Sequence, residues 1–179
     1  MQIPDSTQNY FELFGITPNF VLNIAQLHAE QQRLQSVFHP DRHATASDRE
    51  KRQSVQMAAW INQAFETLRD PVKRSRYLLE LNGAEILDES TTTADTGFLM
   101  EQIELREALD ACRNASDGLE RSSEIEMQLS QRAGELAQEF VDFFNQGDLD
   151  SAQHSSRKMQ FIQRIQEQLI ELQFELEDV

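Results

Sequence analysis

The stretch Phe38-His39-Pro40-Asp41-Arg42 lies between two segments whose apolar residues recur at the spacing of a helix face. Pro40 disfavours helical geometry at the residue before it, so a helix arriving at this stretch ends near Phe38. The sequence predicts two amphipathic helices, joined by a loop that carries His39, Pro40 and Asp41. The recurring residues are Ile24, Leu27, Leu34 and Phe38 before the loop, and Ala58, Ile61, Phe65 and Leu68 after it.

Helix start and stop signals extend this pattern in both directions. Asn23 can cap the first long helix, Ser47 or Asp48 the second, and Pro71 suits the first turn of a helix that ends near Leu81. Residues 83–96 have the polar composition of a linker. Three further helices are predicted over about 97–113, 117–146 and 148–177. The last carries a seam typical of a packed antiparallel bundle or a short coiled coil, formed by Ile162, Ile165, Leu169, Leu172 and Leu176.

Composition narrows the class of protein. The 179 residues include only 6 glycines and 4 prolines, which favours an all-α fold, and the formal net charge is −15. Such a surface repels phosphate backbones and anionic lipid, so neither nucleic acid nor membrane is an expected partner. Met1–Gln8 lacks the pattern of a signal peptide, and a cytoplasmic location is predicted. A single cysteine, Cys112, excludes an intrachain disulfide and a cysteine-based zinc site, and no metal or cofactor is expected.

His39, Pro40 and Asp41 taken alone permit several readings. Proline and aspartate are common in ordinary turns, where the histidine can simply face solvent. Alternatively, His39 and Asp41 could act as an acid–base pair with Ser36 or Ser47 as nucleophile. The rigid Pro40 between them and the lack of a nucleophile elbow, a phosphate loop or a spaced histidine cluster argue against an enzyme. We therefore predict no catalytic residue.

The context of the tripeptide resembles the J-domain, the module of co-chaperones that switch on the ATPase of DnaK-class chaperones. An aromatic residue precedes it, the basic Arg42 follows, the second helix ends in Leu-Arg-Asp-Pro, and the segment Tyr-Phe-Glu-Leu-Phe-Gly-Ile occupies residues 10–16. The resemblance implies that His39, Pro40 and Asp41 contact the ATPase domain of a partner chaperone.

One feature departs from the J-domain pattern. J-domains typically present a basic face on the helix that leads into the tripeptide, whereas here this helix offers Arg33 and His28, with Glu30 working against them. Arg33 and Arg42 are therefore the basic residues that we assign to the chaperone contact. Since charge acts mainly on the association rate, weaker or more specialised docking is expected.

The predicted helix over 97–113 has two apolar faces. At about 100° per residue, Phe98, Leu105, Leu109 and Cys112 share one face. On the opposite side lie Leu99, Met100 and Ile103, with Glu104 and Glu107 beside them. One face can be core; the other is either a partner surface edged by carboxylates or a cover for the linker or the first domain. Periodicity alone leaves both readings open.

A narrower resemblance covers nearly the whole chain. Residues 95–107 closely resemble the start of the C-terminal domain of HscB, the J-type co-chaperone of iron–sulfur cluster assembly, and residues 61–69, 77–83 and 157–161 are similar to the same family. The resemblance implies an L-shaped protein with a J-domain over 1–82, a linker over 83–96 and a three-helix domain over 97–179. Eukaryotic members often carry a further cysteine-rich metal site near the N-terminus. This sequence contains nothing comparable, so the bacterial form is indicated.

The HscB resemblance also implies partners and a site. The bundle would bind an IscU-type cluster scaffold, and the J-domain would present it to an HscA-type chaperone, with no cofactor of its own. The scaffold-binding residues would be Leu99, Met100, Ile103, Glu104, Glu107 and Phe161; core packing stays open for Phe161. Ala111 shortens the acidic rim. The alternatives are a J-domain protein with another client and a helical interaction protein in which the tripeptide is a coincidence.

Overall fold

A computed structural model describes residues 8–38, 47–85 and 95–177 of the chain, and within these ranges it contains seven helices and no β-strand. The helices fall into two compact units, divided within one helix between Leu78 and Leu79. We call them the N-terminal unit and the C-terminal unit. The expectation of an all-α protein is confirmed. Within the described ranges, no helix combines the length and hydropathy needed to cross a bilayer.

The N-terminal unit is built around an antiparallel pair of helices. It contains α1 (Tyr10–Leu13), α2 (Ile24–Phe38), α3 (Asp48–Arg69) and most of α4 (Pro71–Leu81). Two contacts set the register of α2 on α3: Gln35 Nε2 donates to Asn62 Oδ1 at 2.7 Å, and the His28 ring meets the Phe65 ring edge-on at 5.8 Å. The core of this unit contains Phe11, Leu27, Leu34, Phe38, Ile61, Ala64, Phe65 and Leu68.

Ile24 differs from its predicted place on the buried face, since 45% of it is exposed. The register of the helix pair gives the reason. His28 lies opposite Phe65, so Ile24, one turn earlier on α2, lies opposite Arg69, the last residue of α3. The spacing of apolar residues predicted the correct helix face but not the point at which the partner helix stops.

A buried arginine closes the end of α3. Arg74 Nη1 donates to the carbonyl of Leu68 and, at 3.5 Å, to that of Arg69, while the Arg74 guanidinium lies 4.8 Å from the centre of the Phe20 ring. These two carbonyls belong to the last turn of α3, and carbonyls of a last turn have no hydrogen-bond donor within the helix. Burial lowers the pKa of Arg74 to about 10, although the nearby Asp70 carboxylate opposes that shift.

The C-terminal unit is a three-helix bundle of α5 (Thr96–Arg113), α6 (Gly118–Gln146) and α7 (Leu149–Glu177), in which each helix packs against the other two. Gly147 ends α6 in the left-handed conformation, with φ of 77°, and its N–H donates to the Phe144 carbonyl at 3.1 Å. This is a common helix terminus, and it allows a sharp reversal into α7. The predicted seam of α7 is buried at Ile162, Ile165, Leu169 and Leu172, whereas its last member, Leu176, is only half-buried.

Candidate functional site

The residues assigned to the chaperone contact lie mostly outside the part of the chain that the structure describes. His39, Pro40, Asp41 and Arg42 are among them; the described residues beside them are the end of α2 at Phe38 and the start of α3 at Asp48. Both of these helix ends are held by side chains.

The end of α2 is held by Ser54 of α3, whose buried hydroxyl donates to the Phe38 carbonyl at 2.8 Å. The start of α3 is a capping box: the Ser47 hydroxyl accepts from the Glu50 N–H, and the Glu50 carboxylate accepts from the Ser47 N–H. Such reciprocal bonds satisfy donors that a helix N-terminus otherwise leaves without partners. The two ends that flank residues 39–46 are therefore fixed to defined positions.

Arg33, the one assigned chaperone residue within the described ranges, is exposed and is paired along its own helix. Arg33 Nε donates to the Glu30 carboxylate at 2.9 Å, and this partner raises the pKa of Arg33. Glu30 thus offsets the charge of Arg33 on α2, which is the arrangement that the sequence predicted.

The scaffold-binding residues assigned to α5 form an exposed apolar face. Leu99, Met100 and Ile103 are 41%, 56% and 48% exposed, respectively, while Phe98, Leu109 and Cys112 of the same helix are buried. The prediction of two apolar faces is confirmed for these residues. We call Leu99, Met100 and Ile103 the outer face of α5. Glu104 and Glu107 beside them are also exposed, as is Ala111.

Phe161 of α7 lies at one edge of this outer face and is half-buried. Its ring meets the Phe98 ring edge-on, with 5.5 Å between centroids, and the guanidinium of the exposed Arg106 lies 5.5 Å from its centre. Arg106 follows Ile103 by three positions and therefore neighbours it on the helix surface. Phe161 is at once a packing residue against Phe98 and a partly exposed aromatic side chain next to the outer face.

The start of α5 is anchored to α7. Asp95 caps α5 by accepting from the Phe98 N–H at 2.9 Å, and its other carboxylate oxygen pairs with Lys158 Nζ at 2.6 Å. The hydrogen bond from Lys158, followed by that from the Phe98 N–H, lowers the pKa of Asp95. Lys158 Nζ also lies 5.4 Å from the centre of the Phe98 ring. These contacts hold the first turn of α5, from which Leu99 and Met100 project, against α7.

The opposite edge of α5 borders a groove. A cavity of about 290 Å³ lies between α5 and α6, lined by Glu101, Leu105, Gln128, Leu129, Gln131, Arg132 and Glu135. Arg132 Nε pairs with Glu101 at 2.7 Å, and this bond is the main reason that the pKa of Arg132 is raised. Leu105, predicted to be core, is only half-buried because it lines this groove.

Cys112 has the role that its helix position predicted, that of a small apolar core residue. It is 1% exposed, and burial raises the pKa of its thiol. Among the described residues, no three histidine, cysteine, aspartate or glutamate side chains come together in a way that could hold a metal ion.

Sequence reasoning missed three residues that form contacts between helices at these sites, namely Ser54, Arg106 and Lys158. Arg106 could have been noted from the helical spacing, since it borders the outer face of α5. Its contact with Phe161 and that of Lys158 with Phe98 depend on how α5 and α7 pack, which periodicity within one helix does not reveal.

Comparisons with known proteins agree over both units. Residues 94–170 match the family model described as the HSCB C-terminal oligomerisation domain. A co-chaperone protein HscB homolog from Shewanella woodyi is 38% identical over 164 residues, which cover 90% of this chain and 94% of the relative.

Two solved structures are similar in fold and sequence. The chaperone HscB from Vibrio cholerae superposes with a TM-score of 0.86 at 34% identity, covering 94% of this chain and 99% of the other. The human co-chaperone protein HscB also gives a TM-score of 0.86, at 31% identity, covering 94% of this chain and 84% of the other.

Proposed function

The chain belongs to the HscB family of co-chaperones, and we propose that it binds an IscU-type iron–sulfur scaffold and delivers it to an HscA-type chaperone of the DnaK class. In this proposal the chain stimulates the ATPase of the chaperone and so promotes cluster transfer. It acts in the cytoplasm by positioning two proteins, needs no cofactor, and performs no chemical step of its own.

The outer face of α5 is the observation that carries the proposal. Leu99, Met100 and Ile103 present apolar surface on a helix whose opposite side is already buried in the bundle, so packing within the bundle does not account for them. Apolar surface edged by carboxylates, here Glu104 and Glu107, is typical of a protein-binding site. Methionine adds a flexible side chain that can adapt to a partner.

The chaperone side of the proposal rests on His39, Pro40 and Asp41, with Arg33 and Arg42 as the neighbouring cations. The end of α2 at Phe38 and the start of α3 at Asp48, which lie on either side of these residues in the sequence, are each held by side-chain hydrogen bonds. A rigid proline, a carboxylate and an imidazole would supply directional contacts to the ATPase domain. Hydrolysis would then lock the chaperone onto the scaffold.

The test is the ATPase rate of an HscA-type chaperone, measured with this chain in the presence and absence of an IscU-type scaffold. We expect stimulation by the chain and a further, synergistic rise with scaffold. His39→Gln should abolish both. Leu99→Ala/Met100→Ala/Ile103→Ala should raise the chain concentration needed for half-maximal synergy at least about tenfold, since loss of ~1.4 kcal/mol of binding energy is already tenfold.

A matched triple variant controls for the loss of exposed apolar surface. Met127, Ile170 and Phe174 of the same unit are exposed by 69%, 52% and 65%, and none of them belongs to α5. Their replacement by alanine should leave the synergy unchanged. Stimulation that is indifferent to scaffold would favour a J-domain protein with a different client. No stimulation by a folded chain would favour a helical interaction protein outside the chaperone system.

A further inference from the structure

The ring of Phe161 is held between two side chains of α5. Phe98 meets it edge-on at 5.5 Å with an interplanar angle of 84°, and the Arg106 guanidinium lies 5.5 Å from its centre. Phe98 is buried and Arg106 is exposed, so the two contacts hold the ring from the core side and from the solvent side. A half-buried phenylalanine held in this way has lost much of the rotational freedom of an exposed one.

The core-side contact is itself fixed. Lys158, which lies near the Phe98 ring, is paired with the Asp95 carboxylate that caps α5. The series of contacts from Asp95 through Lys158 and Phe98 thus ends at Phe161. The Arg106 guanidinium lies near the same ring and, as a neighbour of Ile103 on the helix surface, borders the outer face of α5.

Arg106 differs from other arginines of this unit in what it contacts. Arg113 pairs with Asp110 and Glu175, and Arg132 pairs with Glu101. Within the described residues, no carboxylate forms an ion pair with Arg106, and the contact of its guanidinium is with the Phe161 ring. The placement of this side chain is therefore accounted for by the aromatic ring rather than by a neighbouring charge.

We propose that Arg106 is a positioning residue, which holds the Phe161 ring in the orientation that the IscU-type scaffold binds. The inference rests on the proposed function and extends its site by one residue. A side chain that is already ordered loses less freedom on binding, so its contact contributes more to affinity. A cation over an exposed ring is worth about 0.5–1 kcal/mol, which corresponds to about a two- to fivefold change in an equilibrium constant.

The test is a double-mutant cycle on Arg106 and Phe161, with the dissociation constant of the IscU-type scaffold measured by calorimetry on the full chain. The variants are Arg106→Gln, Phe161→Ala and the double variant, and Phe161→Leu serves as a second background if Phe161→Ala unfolds. Arg113→Gln is the matched control, an exposed arginine at the other end of α5. Arg106→Lys keeps a cation over the ring. Thermal unfolding of each variant checks the fold.

We expect Arg106→Gln to weaken binding about two- to fivefold in the original chain and to have no further effect once Phe161 is replaced. Arg106→Lys should recover most of the loss, and Arg113→Gln should bind as the original chain does. An equal loss in both backgrounds, or no loss, would overturn the positioning role alone. No binding of scaffold by the unaltered chain would overturn the proposed function as well.

Discussion

A single buried hydroxyl, that of Ser54, determines how α2 ends before residues 39–46. The Phe38 carbonyl belongs to the last turn of α2, where carbonyls lack the partners that the interior of a helix provides, and the Ser54 hydroxyl donates to it from α3. Both Ser54 and Phe38 are buried, so water is a poor substitute for this bond. The predicted chaperone-binding tripeptide begins at the next residue.

Ser54→Ala removes a single oxygen atom, but it should destabilise the N-terminal unit more than a surface substitution does. Loss of the donor to a buried acceptor costs about 1–3 kcal/mol, whereas surface substitutions usually change stability by less than about 0.5 kcal/mol. Urea unfolding followed by the fluorescence of Trp60, the one tryptophan in the chain, measures this unit specifically. Ser36→Ala removes an exposed serine of α2 as the control. Equal midpoints for the two variants would contradict the assigned role of Ser54.

Sequence reasoning at the residue scale succeeded where one helix decides the outcome. Leu99, Met100 and Ile103 were separated from Phe98, Leu109 and Cys112 by angular spacing alone, and their burial agrees. Sequence reasoning could not predict the contact of Arg106 with Phe161 or the hydrogen bond from Ser54 to Phe38, because each pair joins two different helices. Such contacts depend on the register of helix on helix, which a pattern within one segment does not contain.

At the element scale, the helix ends were the predictable part. Asn23 and Ser47 cap α2 and α3, Pro71 opens α4, and Gly147 ends α6, because each supplies a local backbone or side-chain requirement that can be read from sequence. The burial of individual residues was less predictable: Ile24 and Leu105, for example, were predicted to be buried, but Ile24 is exposed and Leu105 is half-buried. Ile24 lies opposite the last residue of α3, and Leu105 borders a groove between α5 and α6.

The turn from α5 into α6 has a requirement that spacing does not reveal. Gly118, the first residue of α6, is buried so close to the Cys112 carbonyl that an added Cβ would overlap this backbone oxygen, and it would also lie 3.3 Å from Leu176 Cδ2. A backbone atom cannot move aside as a flexible side chain can. Glycine at this position allows the three helices of the bundle to meet closely at this end.

Gly118→Ala and Gly134→Ala should change the stability of α6 in opposite directions. Gly118→Ala should destabilise the C-terminal unit by about 1–3 kcal/mol, as overpacking typically does. Gly134 lies within the same helix with open space around it, so alanine there should stabilise by about 0.5–1 kcal/mol. Thermal unfolding followed by circular dichroism at the helix band measures both. A Gly118→Ala variant as stable as the original chain would show that the α5–α6 turn adjusts freely.

At the scale of the whole molecule, the net charge of −15 is unevenly divided. Residues 1–78 hold nine of the 16 lysines and arginines and eight of the 31 acidic residues, so that the N-terminal unit has a formal charge of +1. Residues 79–179 carry the remaining seven basic and 23 acidic residues, a formal charge of −16. The acidic character of the chain is thus a property of the C-terminal unit, where it would favour a partner with a basic surface.

This division predicts that salt stabilises one unit and not the other. Like charges on the C-terminal unit repel one another in the folded state, and a rise in NaCl from 0.01 to 0.5 M shortens the screening length from about 30 Å to well under 10 Å. Relief of about 1 kcal/mol of repulsion would raise the unfolding midpoint of a unit of this size by about 4–8 °C. Calorimetry should show this rise in one transition, while the transition reported by Trp60 fluorescence stays in place. If the Trp60 transition rises by the same amount, then the two units unfold together, and the charge of the C-terminal unit acts on the stability of the whole chain.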